Sequence, residues 1–230
     1  MKVSVQIWDW PLRLFHWLLV LAVVGSYTTG KLGGLLTEWH SRLGGLVLGL
    51  LVFRLIWGVI GTTHARFVNF LPTFSRLAAY FKGDWQGVAH NPLGALAIIA
   101  KLTVLMLLVA TGLFANDDIG FEGPLFHLVD KGLSDKLSGW HIWMVNLLVG
   151  LVVLHVSAII FYQLVKNTNL VLPMLTGKKQ LPGILAASSI GSFSSLRFVV
   201  ALLVAIFVVW GVWSVGFADY LASLINKVMS

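Results

Sequence analysis

Five times along this chain a run of about 20 mostly apolar residues recurs, long enough to cross a bilayer as a helix. The runs lie near Leu12 to Thr29, His40 to Ile60, Pro92 to Phe114, Trp140 to Leu164 and Leu196 to Phe217. They predict an all-α, integral membrane helical bundle. The first run has no small-residue cleavage site after it and carries His16 inside it, so it is expected to be a retained helix and not a signal peptide. The few polar residues in these runs are mostly basic: His16, His40, Arg54, Lys101, His141 and His155. An ionisable side chain at membrane depth is costly and commonly functional. His141 and His155 stand fourteen residues apart, close to four helical turns. That puts them on one helix face, roughly 21 Å apart along the axis.

Composition excludes a soluble domain, because 58% of residues are hydrophobic, only 11% are charged and the mean hydropathy is +0.89. The absence of cysteine excludes disulfides, iron–sulfur clusters and covalently attached c-type haem. Any metal must be held by histidine, methionine or oxygen. The net charge of +7 is unevenly placed. Lys2 and Arg13, then Arg66, Arg76 and Lys82, then Lys166, Lys178, Lys179 and Arg197 collect at alternate ends of the spans and are expected on the cytoplasmic side. Asp117, Asp118, Glu122, Asp130 and Asp135 outnumber Lys131 and Lys136 between the third and fourth spans, a segment expected outside. The N-terminus is then inside and the C-terminus outside. The basic excess reads as anchoring to anionic lipid, with no nucleic-acid site.

This topology sorts the histidines by depth. His16 near the start of an outward helix pairs with His155 on the inner side, and His40 at the start of an inward helix pairs with His141 on the outer side. Crossed pairings place their members at opposite ends of the membrane. Two imidazoles facing each other between helices suit a six-coordinate b-type haem better than zinc, which prefers four compact ligands. Gly44, Gly45, Gly49, Gly112 and Gly150 fall in the spans that would line such a macrocycle, although glycine also serves ordinary helix contacts in membranes.

Arg54 follows His40 by fourteen residues, on the same face and near the depth of the inner pair. Its charge calls for a partner such as a haem propionate, or for snorkelling to the interface. Arg42 has the same two readings at the outer haem. Lys101 stands roughly 13 Å into its span, where a propionate, a quinone oxygen or water are open alternatives. His64, His90 and His127 fall in connections and carry no ligand assignment. Trp8, Trp10, Trp17, Trp39, Trp57, Trp140, Trp143, Trp210 and Trp213 read mostly as interfacial anchors.

The segments VQIWDWPLRLFHWLLV, WHSRLGGLVLGLLVFRLIWG, HNPLGALAII, GLFANDD, SGWHIWMVNLLVGLVVLHV and KNTNLVLPMLTGKK resemble the bacterial cytochrome b561 and nickel–iron hydrogenase b-type cytochrome family. The resemblance covers roughly Val5 to Lys179. It implies a four-helix core binding two b haems, with His16, His40, His141 and His155 as axial ligands. It also implies electron exchange between the membrane quinone pool and a periplasmic redox protein, a c-type cytochrome or a dehydrogenase or hydrogenase subunit, in a bacterial inner membrane. Another reading from the same family is a self-sufficient oxidoreductase, for example from superoxide to quinone. The domain organisation expected is a dihaem cytochrome b domain over residues 1–180, a linker over 181–195, and a fifth transmembrane helix with a short periplasmic tail over 196–230. The fifth helix lies outside the resemblance, and Lys101 stands where an apolar residue is expected.

Overall fold

The computed structural model describes residues 2–85, 87, 90–182 and 193–229. Strand β1 (Lys2–Gln6) leads into helix α1 (Trp10–Leu32), followed by α2 (Thr37–Ile60). Two short helices, α3 (Phe67–Phe70) and α4 (Phe74–Lys82), precede α5 (Pro92–Gly112). Then come α6 (Lys131–Leu164), the short α7 (Val171–Thr176), strand β2 (Lys178–Pro182) and α8 (Ser195–Met229). Of these, α1, α2, α5, α6 and α8 contain stretches long and apolar enough to cross a membrane. The five spans lie where the hydrophobic pattern puts them. Helix α6 begins nine residues before Trp140, because Asp130 caps it: its carboxylate accepts the backbone N–H of Leu133 at 3.0 Å. The linker expected over 181–195 falls outside the described residues from 183 to 192.

The chain folds into two compact units. The first comprises Met1–Trp17, Arg54–Leu102 and Gly150–Ala201; the second comprises Leu18–Phe53, Thr103–Val149 and Leu202–Ser230. Each takes a portion of every span.

In the first unit, β1 and β2 form an antiparallel pair with Val5 opposite Lys179. Val5, Ile7 and Leu181 form a small buried apolar cluster on it, with Trp8 packed alongside. Gly177 makes the return possible. It ends α7 with φ of 81°, and its carbonyl accepts the N–H groups of Ile7 at 2.8 Å and Trp8 at 3.1 Å. A Cβ there would stand 2.6 Å from the Trp8 carbonyl oxygen, so both the backbone angle and the close approach select glycine.

Asp9 is the polar hub of this unit. It caps α1 by accepting the Leu12 N–H at 2.8 Å, and it also accepts Trp57 Nε1 at 2.9 Å and the Thr62 hydroxyl at 2.6 Å. Trp57 is therefore no interfacial anchor: it is 1% exposed and its indole N–H is consumed by a buried carboxylate. In the second unit the fifth helix packs through small residues, with Trp213 seated on Gly45 and Val209 on Gly49. A Cβ at Gly45 would meet the Trp213 ring at 2.7 Å, so these two glycines are occupied by α8 side chains.

Candidate haem sites

In the second unit, α2 presents His40 and α6 presents His141 to each other, with ring centroids 6.0 Å apart and planes nearly perpendicular. Each ring is oriented by a helix carbonyl. His40 Nδ1 donates to Ser26 O at 2.8 Å and His141 Nδ1 to Leu108 O at 2.9 Å. A carbonyl can only accept, so each Nδ1 carries a proton, and in the neutral form of each ring the lone pair is on Nε2. That is the tautomer a metal-binding imidazole needs, with the other nitrogen held by a hydrogen bond. Thr111 adds a hydroxyl 3.3 Å from His141 Nδ1 while donating to the carbonyls of Leu107 and Leu108.

Two glycines give the rings their room. A Cβ on Gly30 would lie 2.8 Å from His40 Nδ1, and one on Gly112 would lie 3.0 Å from His141 Cε1. Gly44 has open space on its free face for at least 4 Å. The donor set is thus two imidazoles, and among the described residues no three histidine, cysteine or carboxylate side chains gather as a metal cluster. These features fit an iron held axially inside a macrocycle that supplies its remaining ligands, and they do not fit a four-ligand zinc centre.

In the first unit, α1 contributes His16 and α6 contributes His155, close enough to act on each other electrostatically. Lys101 of α5 acts on both. The lysine whose partner the sequence left open therefore sits beside this pair. No hydrogen bond holds either ring among the described residues, in contrast to the other unit; His16 makes an edge contact with Trp17 at 5.1 Å. A Cβ on Gly150 would meet nothing within 4 Å.

The same unit contains Arg54, 3% exposed, with its guanidinium 4.4 Å from the Phe67 ring and 5.9 Å from that of Phe70. Asp9 lies within its electrostatic reach, yet Arg54 Nη1 is buried without a hydrogen-bond partner. Arg42 differs. It is exposed, paired with Glu38 one turn earlier and 5.2 Å from the Trp39 ring.

The acidic connection of the second unit is folded on itself. Asp117 accepts the N–H groups of Ile119, Gly120 and Phe121 at 3.0, 2.9 and 2.8 Å, which hold its carboxyl below the usual range. Lys131 bridges Asp118 and Asp135, and His127 stands 3.0 Å from Glu122. The Asn116 side-chain amide donates to the Asp135 carboxylate at 2.9 Å.

Sequence reasoning passed over Asp9 and gave His90 no role. The half-buried His90, its Nδ1 enclosed, has its imidazole against Trp8 and Phe70, with centroids at 4.4 and 4.6 Å. Burial, then Arg54, His64 and Lys179, push its pKa down to about 3. A capping Asp before Pro11 was visible in the sequence for Asp9; nothing local marked His90.

The model of one protein family, described as prokaryotic cytochrome b561, matches residues 7–177. Among curated proteins, the chain is 26% identical to a probable Ni/Fe-hydrogenase B-type cytochrome subunit of Azotobacter vinelandii, over 76% of this chain and 88% of that protein. It is 23% identical to the probable Ni/Fe-hydrogenase B-type cytochrome subunit of Rhizobium leguminosarum bv. viciae, over 77% and 90%. A probable Ni/Fe-hydrogenase 1 B-type cytochrome subunit of Escherichia coli K12 is 20% identical over 76% and 90%. No solved structure matches.

Proposed function

The chain belongs to the prokaryotic cytochrome b561 family, a membrane-embedded all-α b-type cytochrome that binds haem b and transfers electrons, and on that premise we propose that it carries two b haems and passes electrons between a periplasmic redox protein and membrane quinone. The observation that carries this reading is the distribution of the histidines: His40 and His141 fall in one compact unit and His16 and His155 in the other. Each unit thus has one pair of imidazoles from two helices, and neither pair needs a residue from elsewhere.

A b haem bound at each pair supplies a one-electron carrier. The chain's own residues do the rest. His40 and His141 would hold the outer haem, their Nδ1 protons fixed on Ser26 and Leu108. His16 and His155 would hold the inner haem, beside the charge of Lys101. Arg54 would offset the charge of a propionate of the inner haem, and Arg42, which also pairs with Glu38, that of the outer one. The fourteen-residue spacing on α6 sets the two ligand levels roughly 21 Å apart along that helix. Residues 1–180 form the dihaem domain and α8 is a fifth span beside it. The N-terminus faces the cytoplasm of a bacterial inner membrane and the C-terminus the periplasm. The acidic connection of residues 116–136 faces the partner, which is a hydrogenase, the enzyme in the relatives' names, a related dehydrogenase subunit or a c-type cytochrome.

The test is haem per chain and the dithionite-reduced minus oxidised spectrum of purified protein. Wild type is expected to hold two haems. His16→Ala and His155→Ala should delete the same spectral component, and His40→Ala and His141→Ala the other. Loss of one and the same component in His16→Ala and His141→Ala would overturn the pairing.

A further inference from the structure

Arg54 and His90 are on different elements of the first unit and share one aromatic ring. Phe70 lies 5.9 Å from the Arg54 guanidinium and 4.6 Å from the His90 imidazole, and Phe67 and Trp8 close the outer sides of the two groups. The acid in reach of Arg54 is Asp9, whose carboxylate already accepts three hydrogen bonds, from Leu12, Trp57 and Thr62. Two polar atoms are left over, Arg54 Nη1 and His90 Nδ1, both buried and both without a partner. Buried polar groups are nearly always satisfied, so two unsatisfied ones around one ring point to a ligand. Burial, with Arg54, His64 and Lys179 around it, keeps the imidazole neutral, so it adds no second charge. With the imidazole in its Nδ1–H tautomer, the site presents one fixed positive charge and two donors, which is the demand of a single planar oxyanion.

We propose that Arg54 and His90 are the two sides of a clamp for an oxyanion, with Phe70 setting their spacing. Following the dihaem reading above, on which this assignment rests, the oxyanion is a propionate of the inner haem. The phosphate of an anionic phospholipid is the other source of the same chemistry. His90 is then a positioning residue for the inner haem, acting through the propionate and not through the iron.

The test uses the full-length, haem-loaded protein in lipid nanodiscs. Each haem's midpoint potential is measured by spectroelectrochemistry, and retained anionic phospholipid is counted by native mass spectrometry. Arg54→Leu removes the positive charge that offsets the propionate, which favours the oxidised iron. The inner haem's reduction equilibrium should fall about tenfold, which is about 59 mV for one electron, with the outer haem unmoved. His90→Phe should lower the same equilibrium about threefold. His90→Asn, which keeps a donor near the position of Nδ1, should restore most of it. Haem loss in the Phe variant that Asn rescues also supports the clamp; equal loss in both counts against it. If the potentials hold but bound phospholipid disappears from both Arg54→Leu and His90→Phe, the clamp stands with phosphate as its ligand. If neither readout moves while haem content is intact, the clamp is overturned. Fewer than two haems in wild type would instead sink the dihaem reading, and the lipid count alone would then decide the clamp.

Discussion

His40 and His141 stand in a frame of carbonyls and glycine, whereas His16 and His155 stand in a frame of charge. The first pair is held by hydrogen bonds to Ser26 and Leu108 and fitted against Gly30 and Gly112. The second pair has no such bonds among the described residues, and Lys101 lies beside it, with Arg54 in the same unit. In the proposed dihaem protein, two sites with the same ligands are thereby tuned differently. A carbonyl accepting from Nδ1 makes an imidazole a stronger donor to oxidised iron and draws the potential down; nearby positive charge draws it up. The haem at His16 and His155 should therefore have the higher potential of the two, which a redox titration resolving both components checks.

The largest effect that can break this contrast is steric. Gly30→Leu drives a side chain into His40 from 2.8 Å, and Gly112→Val drives one into His141 from 3.0 Å. Each should lower haem content from two to one per chain by deleting the outer component, as read from the difference spectrum. Loss of both components would mean that the two sites do not fold independently. Gly44→Ala and Gly150→Ala meet no protein atom within 4 Å, so haem loss there would place the macrocycle against those residues.

A smaller effect sharpens the charged side of the comparison. The folded-state pKa of His90 is depressed to about 3 by burial and by Arg54, His64 and Lys179, against about 6.5 in an unfolded chain. Below pH 6.5 the unfolded state takes up a proton that the folded state refuses, so stability is lost as pH falls from 6.5 toward 3. The slope is at most about 1.4 kcal/mol per pH unit, less where an anion shares the site. Thermal unfolding of wild type and His90→Phe between pH 7.5 and 5.0 checks this; equal slopes would remove His90 as the cause.

The smallest effect concerns the acidic connection of the other unit. Its carboxylates are largely spent internally, on backbone N–H groups by Asp117 and on Lys131 by Asp118 and Asp135. Asp118→Asn with Glu122→Gln leaves the Asp117 turn intact and should slow reduction of the outer haem by a basic partner about twofold, with a flatter salt dependence. Stopped-flow rates across ionic strength decide it, and unchanged rates and slopes would take the acids out of docking.

How much of this was legible in the sequence follows from the range of each interaction. The five spans were, because a run of about 20 apolar residues has one stable arrangement in lipid. The place of His141 and His155 on one helix also was, because an apolar run of that length fixes the helix and its period fixes the face. Arg54 and Lys101 stood out as charges in apolar runs, yet their surroundings did not. The Trp57 indole read as an interfacial anchor until Asp9, 48 residues away, turned out to accept its proton.

The sequence by itself determined the membrane class, the places of the five spans and the histidines proposed here to hold iron, all of them read from local composition and helical period. Only the tertiary structure decided which side chains come together. The pairing of β1 with β2, the seating of Trp213 on Gly45, and the meeting of His90 with Arg54 around Phe70 join residues remote in the chain. Such contacts depend on packing between elements, which no local periodicity encodes. That is why a histidine in an unremarkable connection came to share the Phe70 ring with a buried arginine.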